Sequence, residues 1–230
     1  WDATEVPVLI DATFRGRPRK LVLHPNRNGF FYVLDRQTGE FLLGKAYVKQ
    51  TWAKEIDDRG RPVRAPNTFP TLEGVAVWPG VTGGVNWYSP SYSPLTGLLY
   101  VAAQEEGNIF FKADAPYKPG TAFVGGGGKP IPAEPGWGAV RALVPETGEI
   151  KWEHKLVKPP WAGLLSTASH LLFGGTVEGN FFALDARTGK HLWHFPAGGM
   201  IIANPISYLS NGKQHVAIAA GDVLIAFALE

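Results

Sequence analysis

The sequence predicts an all-β fold assembled from repeats, and three observations carry that prediction. Its 230 residues include 28 Gly, 19 Pro and 8 Trp, a turn-rich and indole-rich composition that suits short strands and not a helical bundle. No segment sustains the apolar period of an amphipathic helix. A strand-and-turn phrase recurs three times along the chain.

The first copy is Phe30-Phe31-Tyr32-Val33-Leu34-Asp35-Arg36-Gln37-Thr38-Gly39, the second Val140-Arg141-Ala142-Leu143-Val144-Pro145-Glu146-Thr147-Gly148, and the third Phe181-Phe182-Ala183-Leu184-Asp185-Ala186-Arg187-Thr188-Gly189. Each reads as an apolar strand, a tight turn in which Thr-Gly supplies positive φ, and the start of a second strand. Four residues beyond the Gly stands Trp152 in the second copy, Trp193 in the third and Leu43 in the first. Both Trp rings are expected to be buried between neighbouring sheets. Ser93-Pro94-Leu95-Thr96-Gly97 before Leu98-Leu99-Tyr100-Val101 marks a further strand, and 171–177 and 215–220 read as buried strands.

Residues 51–82 and 107–137 carry most of the Pro and Gly between these phrases and read as loop insertions, the run Gly125 to Gly128 as a flexible one. The turns ending at Gly148 and Gly189 lie 41 residues apart, close to the ~40–45 residues of one four-stranded propeller blade. The architecture expected is therefore a single partial β-propeller domain over 1–230, with about four antiparallel blades. Four blades do not close a ring of seven or eight. The chain opens at Trp1 and closes just after the apolar run Val223 to Leu229, so a fragment of a longer propeller is expected, marginal or self-associating when isolated.

Several function classes are set aside by composition. A net charge of +2 is spread along the chain, with small Arg/Lys clusters at 15–20 and 59–64 and no basic stripe, which argues against nucleic acid. The absence of Cys excludes disulfides, thiolate zinc sites and thiol catalysis within these residues. No apolar run reaches the roughly 18 residues of a spanning helix. Gly125-Gly126-Gly127-Gly128-Lys129-Pro130 lacks the Ser or Thr and the following helix of a phosphate loop. His191 and His194, three apart on a strand, are expected on opposite faces, which opposes shared metal ligation. Ser169 and His170 are adjacent and face apart, so a hydrolase triad with Asp185 is discounted.

Three local motifs remain. Trp1-Asp2 is followed by Asn26-Arg27-Asn28-Gly29 ahead of the first repeat, placing an Asp and an Arg at what read as the starts of successive strands opening on one face. Gly83-Gly84-Val85-Asn86-Trp87-Tyr88-Ser89-Pro90 pairs an amide with an indole, and Pro159-Pro160-Trp161-Ala162-Gly163 carries a Trp that follows no Thr-Gly turn. With the repeats, these motifs resemble the quinoprotein alcohol dehydrogenases, periplasmic eight-bladed propellers that use pyrroloquinoline quinone. The resemblance covers essentially the whole chain and matches the C-terminal half of such an enzyme.

The resemblance implies that Asp2 is the catalytic base and a metal ligand, and that Arg27, Asn86, Trp87 and Trp161 bind the cofactor. Oxidising an alcohol removes a hydroxyl proton and a hydride, so a carboxylate must take the first while positive charge stabilises the acceptor of the second. Thr4 stands where lanthanide-using members have a second Asp, which implies calcium. A cytochrome c as electron acceptor, a periplasmic location and a missing N-terminal half that completes the site follow from the same resemblance. The competing reading is a noncatalytic propeller of this repeat superfamily that scaffolds outer-membrane protein assembly. Such a scaffold has no use for the three motifs.

Overall fold

The computed structural model describes residues 1–228, and these form strands and turns without a helix. The first blade is β1 (Val8–Phe14), β2 (Arg17–Pro25), β3 (Phe30–Asp35) and β4 (Phe41–Ala46), antiparallel in chain order. A hairpin of β5 (Ala53–Ile56) and β6 (Pro62–Arg64) and the short β7 (Val75–Val77) follow. The second blade takes β8 (Ser91–Ser93) and β9 (Leu98–Glu105), leaves the sheet for β10 (Asn108–Lys112) and β11 (Gly126–Pro130), and returns with β12 (Trp137–Leu143) and β13 (Ile150–Leu156). The third is β14 (Leu165–Ser166), β15 (Leu171–Gly175), β16 (Asn180–Asp185) and β17 (His191–Pro196). A three-stranded sheet of β18 (Ile206–Ser210), β19 (Lys213–Ala220) and β20 (Val223–Ala228) ends the described chain, Leu229 lying outside it.

The repeated phrase is a repeated structure. Asp35 Oδ1 accepts the N–H groups of Gln37 and Thr38, and Asp185 Oδ1 accepts that of Arg187, so each Asp satisfies its own turn. Gly39, Gly148 and Gly189 close the three turns at φ +76°, +68° and +71°. A register shift flanks every one of them, Val33/Leu34, Ala142/Leu143 and Ala183/Leu184 facing one extra residue on the strand after the turn. The turns of the second and third blades pack on the blade before: Gly148 lies against Leu43 and Lys45, and Gly189 against Trp152. A Cβ at Gly189 would stand 2.5 Å from the Trp152 ring, so only Gly permits this approach. Trp152 also donates its indole N–H to the Ala186 carbonyl and stacks on Tyr100.

Trp193 departs from expectation, being 39% exposed. It packs edge-on against Phe181 and Phe227 across the third and fourth sheets. Two further expectations are corrected. Neither 51–82 nor 107–137 is wholly loop: the first holds the β5–β6 hairpin and β7, and in the second β11 pairs with β10, Gly127 opposite Phe111, in a small sheet with β7. A Cβ at Gly126 would meet the Phe111 carbonyl oxygen at 2.0 Å, so the glycines permit the strand that they seemed to forbid. His191 and His194 share a face, ring centroids 5.3 Å apart, because the bulge at the start of β17 resets the alternation. No group of three metal-ligating side chains stands together among the described residues.

The main core runs through the first three blades, from Leu23 and Phe31 through Leu99, Val101 and Val140 to Leu172 and Leu184. A smaller cluster of Phe181, Ile201, Val216 and Ile218 joins the third sheet to the last.

Candidate functional site

In an antiparallel blade the entrance to the first strand and the turn between the second and third strands lie at the same end of the sheet. That topology gathers the motifs. Asp2 precedes β1, Asn86 and Trp87 precede β8, Trp161 precedes β14, and Arg27 sits in the turn between β2 and β3. The expectation that Asp2 and Arg27 begin successive strands is thus replaced: one lies in an extended lead-in, the other in a turn.

The Arg27 turn is fixed at nearly every polar group. Asn26 accepts the N–H of Asn28 through its side chain, Asn28 accepts that of Phe30, and the Gly29 N–H reaches the Asn26 carbonyl. Tyr47 and Trp52 donate side-chain hydrogens to the Asn26 and Asn28 carbonyls. The Arg27 peptide is held from both sides: its N–H donates to Glu5 Oε1 at 2.5 Å, and its carbonyl accepts the Gly84 N–H at 2.9 Å.

The guanidinium reaches along the mouth of the sheets. It donates to the Val81 carbonyl at 2.6 Å, to the Thr82 carbonyl at 3.3 Å and to the Asp2 carbonyl at 3.4 Å. Asn86 Nδ2 donates to the same Thr82 oxygen at 2.9 Å, and Asn86 Oδ1 accepts the Trp87 N–H. Arg27 and Asn86 are therefore neighbours through one shared carbonyl, with Asp2 on the far side of the guanidinium. Trp87, 45% exposed, leads through the buried Tyr88 ring to Trp161, with centroid separations of 6.3 and 6.2 Å. All five residues singled out by sequence are thus linked by a chain of contacts, Asp2 through its main-chain carbonyl and Trp161 through the buried Tyr88 ring.

Sequence reading missed the buried polar groups beneath. Glu5 has a fully buried side chain, and burial raises its pKa against the opposing pull of the Arg27 contacts. His24, 3.7 Å from Glu5, is pushed down by burial, and its Nε2 lies 3.0 Å from Asn26 Nδ2. Gln104, 1% exposed, donates to the Pro160 carbonyl at 2.8 Å while its backbone N–H donates to the Gly84 carbonyl, so it ties the Trp161 loop to the Asn86 segment. A Gln ending the apolar run Leu98–Ala103 was the available signal. Glu5, inside a short polar lead-in, gave none.

Chemically, the surface offers unspent donors beside flat apolar faces. The guanidinium has five N–H groups and uses three, leaving two for a ligand. Neither the Trp87 nor the Trp161 indole N–H has a hydrogen-bond partner among the described residues. A planar anion with carbonyl or carboxylate oxygens on its edge fits this donor set. The two clefts that line β1, β2 and β4, of ≈600 and ≈290 Å³, include none of these residues.

Comparison with known proteins shows what the chain as a whole is similar to. Residues 112–216 match the family model for the glucose/ethanol/alcohol dehydrogenase β-propeller domain associated with pyrroloquinoline quinone. The chain is 36% identical to the quinoprotein alcohol dehydrogenase PedH of Pseudomonas putida over 96% of this chain and 39% of that protein. It is 37% identical to a 1-butanol dehydrogenase (cytochrome c) of Thauera butanivorans over 96% of this chain and 34% of that protein. Among solved structures, the quinohemoprotein alcohol dehydrogenase of Comamonas testosteroni superposes with a TM-score of 0.87 at 32% identity, over 95% of this chain and 34% of the other. A europium-containing methanol dehydrogenase gives 0.85 at 35% identity, over 93% and 38%. The chain spans less than two fifths of the length of these proteins in each case, and the part matched is their C-terminal part.

Proposed function

We propose that this chain, a propeller segment of the quinoprotein alcohol dehydrogenase family, supplies one side of a site that oxidises an alcohol with pyrroloquinoline quinone. The observation that carries the reading is the convergence of Arg27 and Asn86 on the Thr82 carbonyl while the same guanidinium reaches the Asp2 main-chain carbonyl, a meeting that repeat packing does not require. Arg27 and Asn86 would hold the quinone's edge oxygens, and the Trp87 and Trp161 rings would flank its plane. When bound, the quinone supplies the hydride acceptor. Asp2 takes the hydroxyl proton of the alcohol, and the fixed charge of Arg27 favours the negative charge that develops beside it.

A divalent metal belongs to the proposal, with Asp2 as the ligand from this chain. Thr4 in place of a second carboxylate favours calcium, and the remaining ligands are assigned to the longer protein. The name of the Thauera relative supports a cytochrome c as electron acceptor. A periplasmic location and the inactivity of the chain on its own complete the reading.

The test uses the full-length enzyme. Asp2→Asn is expected to lower alcohol-dependent dye reduction by about 10²–10⁴-fold while quinone stays bound. Arg27→Ala is expected to weaken both quinone retention and turnover. Near-normal turnover of Asp2→Asn at full quinone occupancy would remove Asp2 from the role of base.

A further inference from the structure

We infer that Glu5 is a positioning residue that locks the Asp2 segment to the Arg27 turn and so sets the spacing between the proposed base and the proposed cation. The inference rests on the functional reading above and deepens it.

Four links close a ring. Two residues separate Asp2 from Glu5 along the chain; Glu5 Oε1 accepts the Arg27 N–H at 2.5 Å; the Arg27 side chain extends from that same residue; and its Nη1 returns to the Asp2 carbonyl at 3.4 Å. Through this ring a displacement of Glu5 reaches the Arg27 turn directly and the Asp2 main chain from the side opposite Trp1, whose indole N–H is held by the Gly80 carbonyl. The opposite face of the Arg27 peptide is bound by Gly84, two residues before Asn86, so a turn released by Glu5 would swing about the Gly84 contact.

The chemistry of Glu5 is unusual for a group with only a scaffolding part. Its side chain is fully buried, and Oε2 has no hydrogen-bond partner among the described residues. The nearest basic group, His24 Nε2 at 3.7 Å, also meets Asn26 Nδ2, an amide donor, and so acts there as an acceptor. The carboxyl is thus turned to main-chain N–H groups, with that of Arg27 at 2.5 Å and those of Thr4 and Glu5 itself nearby. A buried carboxyl is costly to fold, whereas Gln has the same reach, offers the same acceptor oxygen and carries no charge. Reach and charge can therefore be separated by substitution.

In the full-length protein, Glu5→Gln keeps the reach and Glu5→Asn, also neutral, is one methylene shorter. The readouts are quinone affinity of the apo-protein by titration of indole fluorescence, kcat and alcohol KM of the reconstituted enzyme, and thermal midpoint. Glu5→Asn is expected to weaken quinone binding about ten-fold and to lower kcat by a similar factor with KM unchanged, while Glu5→Gln restores both to within about three-fold. Wild-type affinity and kcat in Glu5→Asn, with or without a lowered midpoint, would overturn the inference, as would a Glu5→Gln protein as impaired as Glu5→Asn. If Glu5→Asn does not fold, Glu5→Asp reads the same shortened reach, and failure of both to fold beside a folded Glu5→Gln would assign Glu5 to the fold alone. Arg27→Ala in parallel separates the two readings. Unchanged quinone affinity there sinks the site itself, whereas weakened binding in Arg27→Ala with none in Glu5→Asn sinks only the role of Glu5.

Discussion

Arg141 is 5% exposed, yet it carries a full charge into the contact between the first two blades. Its guanidinium binds Glu105 at 2.6 Å, Glu153 at 2.7 Å and the Tyr47 carbonyl at 2.7 Å, so the burial cost is met by three acceptors at once. Arg141→Met would leave the nearly buried Glu105 carboxylate without its cation, with the Lys49 backbone N–H as its remaining donor. A loss of about 3–5 kcal/mol in urea unfolding is expected, with part of it recovered when Glu105 is also made apolar. A loss below about 1 kcal/mol would mean that Glu105 finds water or another partner. Asp185 works differently, since Arg187 and the turn N–H groups depress its pKa to about 2 from 3.8. A depressed carboxyl contributes stability above its unfolded value and loses it as pH falls through the folded value, so the contribution disappears between about pH 4 and 2. Asp185→Asn is expected to flatten the thermal midpoint over that window relative to the parent. An unchanged slope would show that the Asp185 interactions persist in the unfolded chain.

At the scale of the element, the Thr-Gly turn is both a hairpin turn and a docking knob. Gly39 and Gly189 have nearly the same φ, +76° and +71°, but a Cβ at Gly39 meets nothing within 4 Å, while one at Gly189 meets the Trp152 ring at 2.5 Å. Gly39→Ala should then cost only the left-handed backbone strain of about 1–2 kcal/mol. Gly189→Ala should cost about 1–3 kcal/mol more, because the ring must move. Equal losses would mean that the docked blade yields without penalty. The same geometry orders the indoles: Trp152→Ala is expected to cost about 3–5 kcal/mol, and Trp193→Ala, exposed on one side, clearly less. The sequence phrase announced these turns because Thr-Gly recurs in all three and the Gly takes the positive φ each turn needs, with Asp35 and Asp185 accepting turn N–H groups where the second copy has Val144. It did not announce the bulge beyond the turn, which has no residue signature here and which places His191 beside His194.

For the molecule as a whole, legibility followed the range of the interaction. The blades were readable because a strand, its turn and the following ring are contiguous, and the small sheet of β7, β10 and β11 was not, because its pairing spans the long Pro-rich excursion and uses glycines as strand residues. The five candidate site residues were legible as motifs, whereas Glu5, Tyr88 and Gln104 acquire meaning only when distant segments are folded together. The same division between local and distant contacts sets how firmly each part is held. β9 is buried from Leu98 to Gln104 and β12 from Gly138 to Leu143, at the centre of the main core. The last sheet joins the rest through the smaller cluster around Phe181, Ile201 and Ile218, and β18 is exposed along its length. Local opening requires less free energy where fewer apolar contacts must be broken. Native-state hydrogen exchange should therefore find the amides of β9 and β12 slowest and those of β18 and β19 several-fold to many-fold faster. The site lies between these extremes, its Asn86 and Trp161 segments tied to Gln104 of β9 and its Asp2 segment tied through Glu5 and Arg27 on one side and through the Trp1 indole, which donates to the Gly80 carbonyl, on the other. Amides of residues 2–6 should thus exchange faster than those of 84–88, and faster still in Glu5→Asn. Uniform exchange across all the sheets would instead mean that the last one is coupled to the core as tightly as the second blade, and that the few contacts of the smaller cluster carry more energy than their buried surface accounts for.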